Sequence, residues 1–257
     1  MIPNSYLIVP VVTIVVALLI LVSPWILFRK YPGKAKPWFA GFTIIIITRM
    51  IVLPFIGYFL ALNNEVALAF LQTLQGTFLI ALATAVIHLV ARWVIVKGVL
   101  RTPGDKHPNQ HLYTMGLGQA GLEGLILYAS PSIQLLRLIQ MINRGIEQIN
   151  ISLAERDKII EYIKTIPYLQ IAVSAFSLFA IAGVYVFSTW AFVSGLRLNR
   201  SKLIWVSFLV EFIALFVINA SHKFLGSWVA LLAGIAIAVA LLSYMFKIQK
   251  ENQHERF

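Results

Sequence analysis

The amino-acid sequence predicts an all-α fold, a polytopic transmembrane helix bundle of about seven spans that forms a single integral membrane domain over residues 1–257. Of these 257 residues, 60% are hydrophobic and only 12% are charged, and the mean hydropathy is +0.84. Soluble domains carry about 25% charged residues, so this chain has too few charges to cover a surface in water. The second observation is a series of apolar runs, each long enough to cross a bilayer.

The composition also excludes several classes of protein. The chain contains no cysteine, which excludes a disulfide framework, a thiolate nucleophile, iron–sulfur ligation and a zinc site built on sulfur. A formal net charge of +11 is typical of nucleic-acid binding when the basic residues cluster on one face. Here the basic residues lie at the ends of the apolar runs, so we expect no nucleic-acid partner.

Each predicted span is an apolar run of about 20 residues, the length that crosses ~30 Å of hydrocarbon. The fourth run is the weakest because its glycines dilute the apolar pattern. Short links join most of the runs, and the exception is the connection over residues 130–166. The seven runs are Leu7 to Phe28, Trp38 to Leu62, Ala67 to Ile95, Leu112 to Ala129, Tyr168 to Val193, Leu203 to Ala220 and Phe224 to Phe246.

The basic residues are unequally divided between the two sides of the predicted membrane. If the first span enters from outside, thirteen Lys and Arg residues lie in the inner connections and the C-terminal tail, and six lie in the outer connections. The positive-inside rule therefore places the N-terminus outside and the C-terminus inside. We expect the first run to be a retained helix rather than a cleaved signal peptide. The predicted location is the cell membrane, with multiple passes through the lipid bilayer.

The long connection over residues 130–166 is predicted to be an extracytoplasmic amphipathic segment. Ser152 is followed three residues later by Glu155, the capping-box pattern that begins a helix, and apolar residues then recur at helical spacing. These features predict a short amphipathic helix as far as Lys164. A second apolar segment, Ile133 to Ile142, is expected to lie along the membrane interface.

Ionisable side chains inside the hydrocarbon are costly, so each is a candidate functional residue. At ~1.5 Å per residue, Glu123 lies about 16 Å from the inner end of its helix, Glu211 about 12 Å and His88 about 10 Å. These three side chains can therefore share one layer of the bilayer. Gln119 precedes Glu123 by four residues and projects from the same helical face. We expect a polar pocket inside the bundle, open to the cytoplasmic half.

Structural explanations stand beside the functional ones. Arg92 lies near enough to the inner interface to extend its guanidinium to the headgroups, and Glu211 can pair with Arg49 to hold the bundle together. A lone histidine such as His88 is more often a hydrogen-bonded core residue than a ligand. The glycines from Gly116 to Gly121 are better explained by close helix packing than by a dinucleotide-binding loop, because no strand precedes them.

Several motifs resemble, in their order, those of a known family. The segment from Gly116 to Glu123, GLGQAGLE, resembles the G-x-G-H-G-G-x-E signature of the YhfC family of glutamic-type intramembrane proteases, distant relatives of the CAAX-processing membrane proteases. RKY and KPW after the first span, ATA before Arg92, LAE in the outer segment and GLR at the end of the fifth span follow the family order. The resemblance covers the whole chain and implies a helix bundle with a peptidase site inside it.

The resemblance also implies that most catalytic positions are substituted in this chain. The family's chemistry is attributed to a glutamate pair before the arginine of the third helix, a histidine in the glycine motif, and a later histidine with a downstream acid. Glu123 and Arg92 are retained. Leucine cannot transfer a proton, and glutamine has no titratable nitrogen. The substituted positions are His88, Leu89, Gln119, Asn219 and Lys223.

We therefore expect a non-catalytic pseudoprotease that uses no cofactor. It would bind a transmembrane helix of another membrane protein in a groove lined by glycines, or serve as a partner subunit. The glycine groove would be completed by hydrogen-bonding side chains on the same helix. The expected binding residues are Gln119, Glu123, Arg49, Arg92, Gly118, Gly121 and Asn219.

Two other functions stay open. An active intramembrane endopeptidase would use Glu123 as its base, with His88, Glu211 and His222 holding water, zinc or another divalent ion. A small-ligand transporter or receptor would use the buried charges of Arg49 and Glu211.

Overall fold

The computed structural model describes residues 3, 5–30, 35–52, 54, 57–58, 69–99, 108–144 and 153–254. This part of the chain is helical and contains no strand. Its helices are α1 (Ser5–Leu27), α2 (Ala35–Ile45), α3 (Leu74–Val99), α4 (Pro108–Gly124), α5 (Ser130–Arg144), α6 (Leu153–Thr165), α7 (Tyr168–Arg197), α8 (Ser201–Ala220) and α9 (Ser227–His254).

Six helical stretches in the described ranges are long and apolar enough to cross a membrane, which confirms the predicted all-α polytopic bundle. The second predicted span, Trp38 to Leu62, is described continuously only as far as Val52, so the count of seven stays a prediction, as does the orientation. The six stretches are Tyr6–Leu27, Leu74–Val96, Gln110–Asn143, Tyr168–Arg197, Ser201–Phe224 and Ser227–Lys250.

Helix α7 is the centre of the bundle. It packs against α1, α4, α8 and α9, and most of its residues are buried. A helix that is apolar on all sides lies in a protein core or in lipid, and here other helices cover α7. One core cluster packs Ala17 of α1 against Leu178 and Tyr185 of α7. A second cluster joins Phe187 of α7 to Met245 of α9.

Helix α4 approaches its neighbours closely because of its glycines. A Cβ added at Gly118 would lie 2.5 Å from the backbone oxygen of Trp38 in α2. A Cβ at Gly121 would lie 2.8 Å from the Cα of Leu21 in α1. Neither position has room for a side chain, so helix packing is confirmed as the reason for these glycines.

Helices α5 and α6 pack together at the end of the bundle where α1 begins. Ile139 of α5 and Ile163 of α6 are buried in one cluster, against which Tyr6 of α1 packs. Helix α6 confirms the amphipathic helix predicted as far as Lys164. Ser152, which was expected to cap that helix, lies outside the described residues. Helix α5 continues from α4 in one apolar stretch, Gln110–Asn143, so the interfacial position of Ile133 to Ile142 and the outer location of residues 130–166 stay predictions.

Three π-helical segments interrupt the helices of the described chain. They are Ile46–Val52 after α2, Leu125–Ala129 between α4 and α5, and Ser221–Leu225 after α8. Gly226 follows the third segment with a φ of 99°, a conformation that side-chain-bearing residues rarely adopt. π-Helical turns are rare and occur frequently at functional sites, and these three segments position Arg49, Tyr128 and His222.

Candidate functional site

The five ionisable side chains predicted inside the membrane meet in two adjacent clusters in the core of the bundle. The first, which we call the Glu123 cluster, consists of Arg49, Glu123 and Tyr185. The second, which we call the Glu211 cluster, consists of His88, Arg92, Gln119, Thr189 and Glu211.

In the Glu123 cluster, both oxygens of one carboxylate accept hydrogen bonds from fixed donors. Nη2 of Arg49 donates to Oε1 of Glu123, and the hydroxyl of Tyr185 donates to Oε2. The Glu123 side chain is 1% exposed, whereas that of Arg49 is 18% exposed. The carboxylate is therefore enclosed, and the guanidinium lies at the boundary of the cluster.

In the Glu211 cluster, the guanidinium of Arg92 joins three helices. Arg92 of α3 donates from Nη1 to Oε2 of Glu211 in α8 and from Nη2 to Oε1 of Gln119 in α4, at 2.8 Å. The amide nitrogen of Gln119 donates to the hydroxyl oxygen of Thr189 in α7, at 3.2 Å. The second oxygen of Glu211 contacts Nδ1 of His88. Only an arginine supplies two donors in this planar arrangement.

Tyr185 connects the two clusters. Its hydroxyl bonds to Glu123, and its ring lies edge-on to that of His88, with ring centroids 5.5 Å apart and an interplanar angle of 71°. The two arginines balance the two glutamates in formal charge. Opposite charges in contact offset much of the free energy of removing each from water. The network is therefore a nearly neutral, hydrogen-bonded core that joins the π-helical segment after α2 to α3, α4, α7 and α8.

Two structural interpretations of the sequence were wrong. Arg92 does not extend to the inner interface, because it is 1% exposed and both of its terminal nitrogens are bonded within the core. Glu211 does not pair with Arg49. Helix α8 packs against α3, which carries Arg92, whereas α2 leads to Arg49 and packs against α4, which carries Glu123. The interpretation of His88 as a hydrogen-bonded core residue is confirmed.

The predicted binding residues on α4 are enclosed by the chain itself. Gly118 lies against α2 and Gly121 against α1, so the groove expected along these glycines is filled by those two helices. Gln119 and Glu123 are at most 1% exposed and face the core. A partner helix therefore has no access to this surface of α4 in the structure.

A polar cavity of about 50 Å³ lies beside the Glu123 cluster. All three π-helical segments contribute to its wall. It lies toward the end of the bundle where α1 begins, which is the outer end in the predicted orientation, whereas the pocket was expected to open to the cytoplasmic half. The other half is filled by the Glu211 cluster and by apolar residues such as Phe187 and Trp190. Polar or ionisable residues in its lining are Arg49, Glu123, Tyr128, Ser174, Ser177, Asn219 and His222.

His222 lies apart from the other candidate catalytic residues. Its Nδ1 is 3.0 Å from the hydroxyl oxygen of Ser227, which accepts a hydrogen bond from Ser174 at 3.1 Å. His88 and Glu211 belong to the other cluster, so the set proposed for an active endopeptidase does not converge. Within the described ranges, no three His, Asp or Glu residues are grouped as metal ligands.

Two members of the network, Tyr185 and Thr189, were not predicted as site residues. They lie four residues apart on α7 and therefore project from one face. A tyrosine at a membrane surface is common, but Tyr185 lies near the middle of the 30-residue helix. A phenol at that depth requires a hydrogen-bond partner, and this requirement is the signal that would have identified it.

The fold and the buried network define an integral membrane protein of the multi-pass α-helical class. Comparison with protein-family models, with curated proteins and with solved structures gives no match.

Proposed function

We propose that this membrane protein is a non-catalytic counterpart of the YhfC-type intramembrane proteases that its motifs resemble, and that it binds a transmembrane segment without cleaving it. The observation that carries this proposal is the set of contacts made by the two buried carboxylates, those of Glu123 and Glu211. All four of their oxygens are in contact with donors or with a histidine of the chain itself.

A general base must have a lone pair within reach of the water or hydroxyl that it deprotonates. Both carboxylates are held by partners within the chain, Glu123 by Arg49 and Tyr185, and Glu211 by Arg92 and His88. Freeing either carboxylate would leave an arginine unpaired in the core, and breaking a buried pair costs about 3–5 kcal/mol. The arrangement favours a structural role for both glutamates.

A groove between α1 and α9 supports the binding part of the proposal. Its volume is about 330 Å³, and α7 forms its floor through small residues, Ala182 and Gly183. The α1 wall runs from Leu19 to Phe28, which is about 13 Å of helix. Small residues allow a neighbouring backbone to approach closely, so two to three turns of an apolar helix fit this surface.

The catalytic part of the proposal is tested with purified protein in vesicles and a library of transmembrane peptides. We expect no cleavage product from the wild-type protein and none from Glu123→Gln. Cleavage that is saturable and lost in Glu123→Gln would refute the proposal and establish the endopeptidase alternative.

The binding part is tested by energy transfer between labelled peptides and the reconstituted protein. Ser23 lines the groove, and Ser23→Trp places an indole in it. Val22 is the neighbouring residue on α1, is 41% exposed and does not line the groove, so Val22→Trp is the matched control. We expect at least one library peptide to bind saturably, with affinity reduced at least ten-fold by Ser23→Trp and unchanged by Val22→Trp. Equal affinities in the two variants would refute the location, and no saturable binding in the library would refute the function.

A further inference from the structure

A second and larger cavity lies at the end of the bundle where α1 begins. Its volume is about 320 Å³, and its wall is mostly apolar, with contributions from α1, α5 and α7. It shares four lining residues with the 50 Å³ cavity beside the Glu123 cluster, so the two spaces adjoin. The shared residues are Leu127, Tyr128, Ser174 and His222.

The two spaces together have an apolar part and a polar end. Val9, Leu135 and Ile171 line the larger space. Arg49 lines the smaller one, and its side chain is 18% exposed. A guanidinium carries five N–H donors, so Arg49 keeps donors for an acceptor beside the one that it gives to Glu123.

The chemistry of the polar end favours an anionic head over a cationic one. The carboxylate of Glu123 is enclosed, with 1% of the side chain exposed, whereas 18% of the Arg49 side chain is exposed, so the guanidinium is the charged group that a ligand can reach. The groups at this end that can donate to a ligand include the guanidinium of Arg49 and the imidazole of His222. A carboxylate or phosphate oxygen accepts strong hydrogen bonds from such donors.

Irregular backbone segments form much of the wall of these two cavities. All three π-helical segments of the described chain contribute lining residues, and Pro10, Pro131 and Pro167 line the larger cavity. Of these prolines, Pro10 lies inside helix α1, where a proline removes a backbone hydrogen bond and displaces the preceding turn. Interruptions of several helices at one place produce a preformed cavity that regular packing would close.

We infer that these adjoining cavities bind a single-chain anionic amphiphile, with its carboxylate or phosphate head at Arg49 and its alkyl chain in the larger cavity. A volume of about 320 Å³ is near the lower end of small-ligand pockets, roughly 300–1,000 Å³. The site shares no lining residue with the groove between α1 and α9. It is therefore independent of the function proposed above.

The test uses the purified full chain in phosphatidylcholine vesicles and a dodecanoate that carries a photoreactive diazirine near the end of its chain. We expect cross-links to α5 and to the first turns of α7, mapped by mass spectrometry. Ile171→Trp and Leu135→Trp fill the larger cavity and should each reduce labelling at least ten-fold. Leu169→Trp is the control, because Leu169 is 65% exposed and does not line the cavity.

Competition identifies the head. We expect unlabelled dodecanoate or dodecyl phosphate to displace the probe at concentrations at least ten-fold below those required of dodecanol or dodecylamine, because a guanidinium donates more strongly to an anionic oxygen than to a hydroxyl and cannot donate to an ammonium group. If dodecanoate competes more strongly, the preferred head is the carboxylate of a fatty acid. If dodecyl phosphate competes more strongly, the preferred head is a phosphate. In Arg49→Gln/Glu123→Gln, which keeps the site neutral, this preference should disappear.

Equal competition by dodecanol, or full labelling in both cavity-filling variants that remain folded, would overturn the inference. Cross-links confined to the groove between α1 and α9 would also overturn it, without affecting the proposed binding of a transmembrane segment.

Discussion

Replacement of Arg92 by methionine tests the role of the Glu211 cluster most directly. The change places an unbranched apolar side chain in the core and removes the donors to Glu211 and to Gln119. The remaining contact of Glu211 is His88, which is a cation only when it is protonated. Arg92→Met therefore leaves a buried carboxylate without its permanent counter-charge.

The expected loss follows from this geometry. Removing one partner of a buried ion pair costs about 3–5 kcal/mol, because the other charge is left unpaired in a medium of low dielectric constant. For a chain of this size such a loss corresponds to a melting temperature lower by about 6–20 °C. Arg92→Met/Glu211→Gln removes both charges, so we expect it to recover more than half of the loss.

Thermal unfolding of purified protein in one detergent, followed by tryptophan fluorescence and by size-exclusion chromatography, measures these differences. Arg200→Met is the matched control, because Arg200 is exposed and such a surface change is expected to alter stability by less than about 0.5 kcal/mol. The reasoning is refuted if Arg92→Met melts with the wild type, or if the double variant is no more stable than Arg92→Met.

Three further predictions follow from the core and from the predicted topology. Tyr185→Phe removes the donor to Glu123 and should lower stability by about 1.5–3 kcal/mol, whereas the same change at the exposed Tyr244 should have no measurable effect on the melting temperature. Gly118→Ala brings a Cβ against the backbone of Trp38 and should cost about 1–3 kcal/mol in the same assay, whereas a Cβ at Gly57 meets no atom of the described residues within 4 Å, so Gly57→Ala should be neutral. In this cysteine-free chain, an impermeant thiol reagent added to intact cells should label Lys223→Cys and should label Lys247→Cys only after permeabilisation. The reverse pattern would contradict the predicted orientation.

The fold was largely predictable from hydropathy, because a helix that crosses hydrocarbon must bond its own backbone and must be apolar along its length. Helix α7 shows the limit of that approach. Its sequence is as apolar as that of a lipid-facing helix, and only packing places it at the centre of the bundle. Hydropathy gives the depth of a residue, but it does not give the neighbours of the helix that carries it.

The residues of the core network were predictable in part from their spacing along the helices. His88 and Arg92 lie four residues apart, as do Gln119 and Glu123, so each pair shares one face of its helix. A buried His88 therefore implied a buried Arg92, and this spacing argument outweighs the nearness of Arg92 to the helix end. The partner of each charge depends on helix order around the bundle, which sequence periodicity does not contain.

The two buried ion pairs have different surroundings, and this difference separates a structural role from a binding role. Arg92 and Glu211 are enclosed on all sides, so a pair of apolar residues of similar volume would preserve packing and is often neutral or stabilising. Arg49 is 18% exposed and borders a cavity, whereas Arg92 is 1% exposed. A guanidinium at the edge of a cavity can donate to a ligand, as inferred above, whereas an enclosed one can donate only within the core.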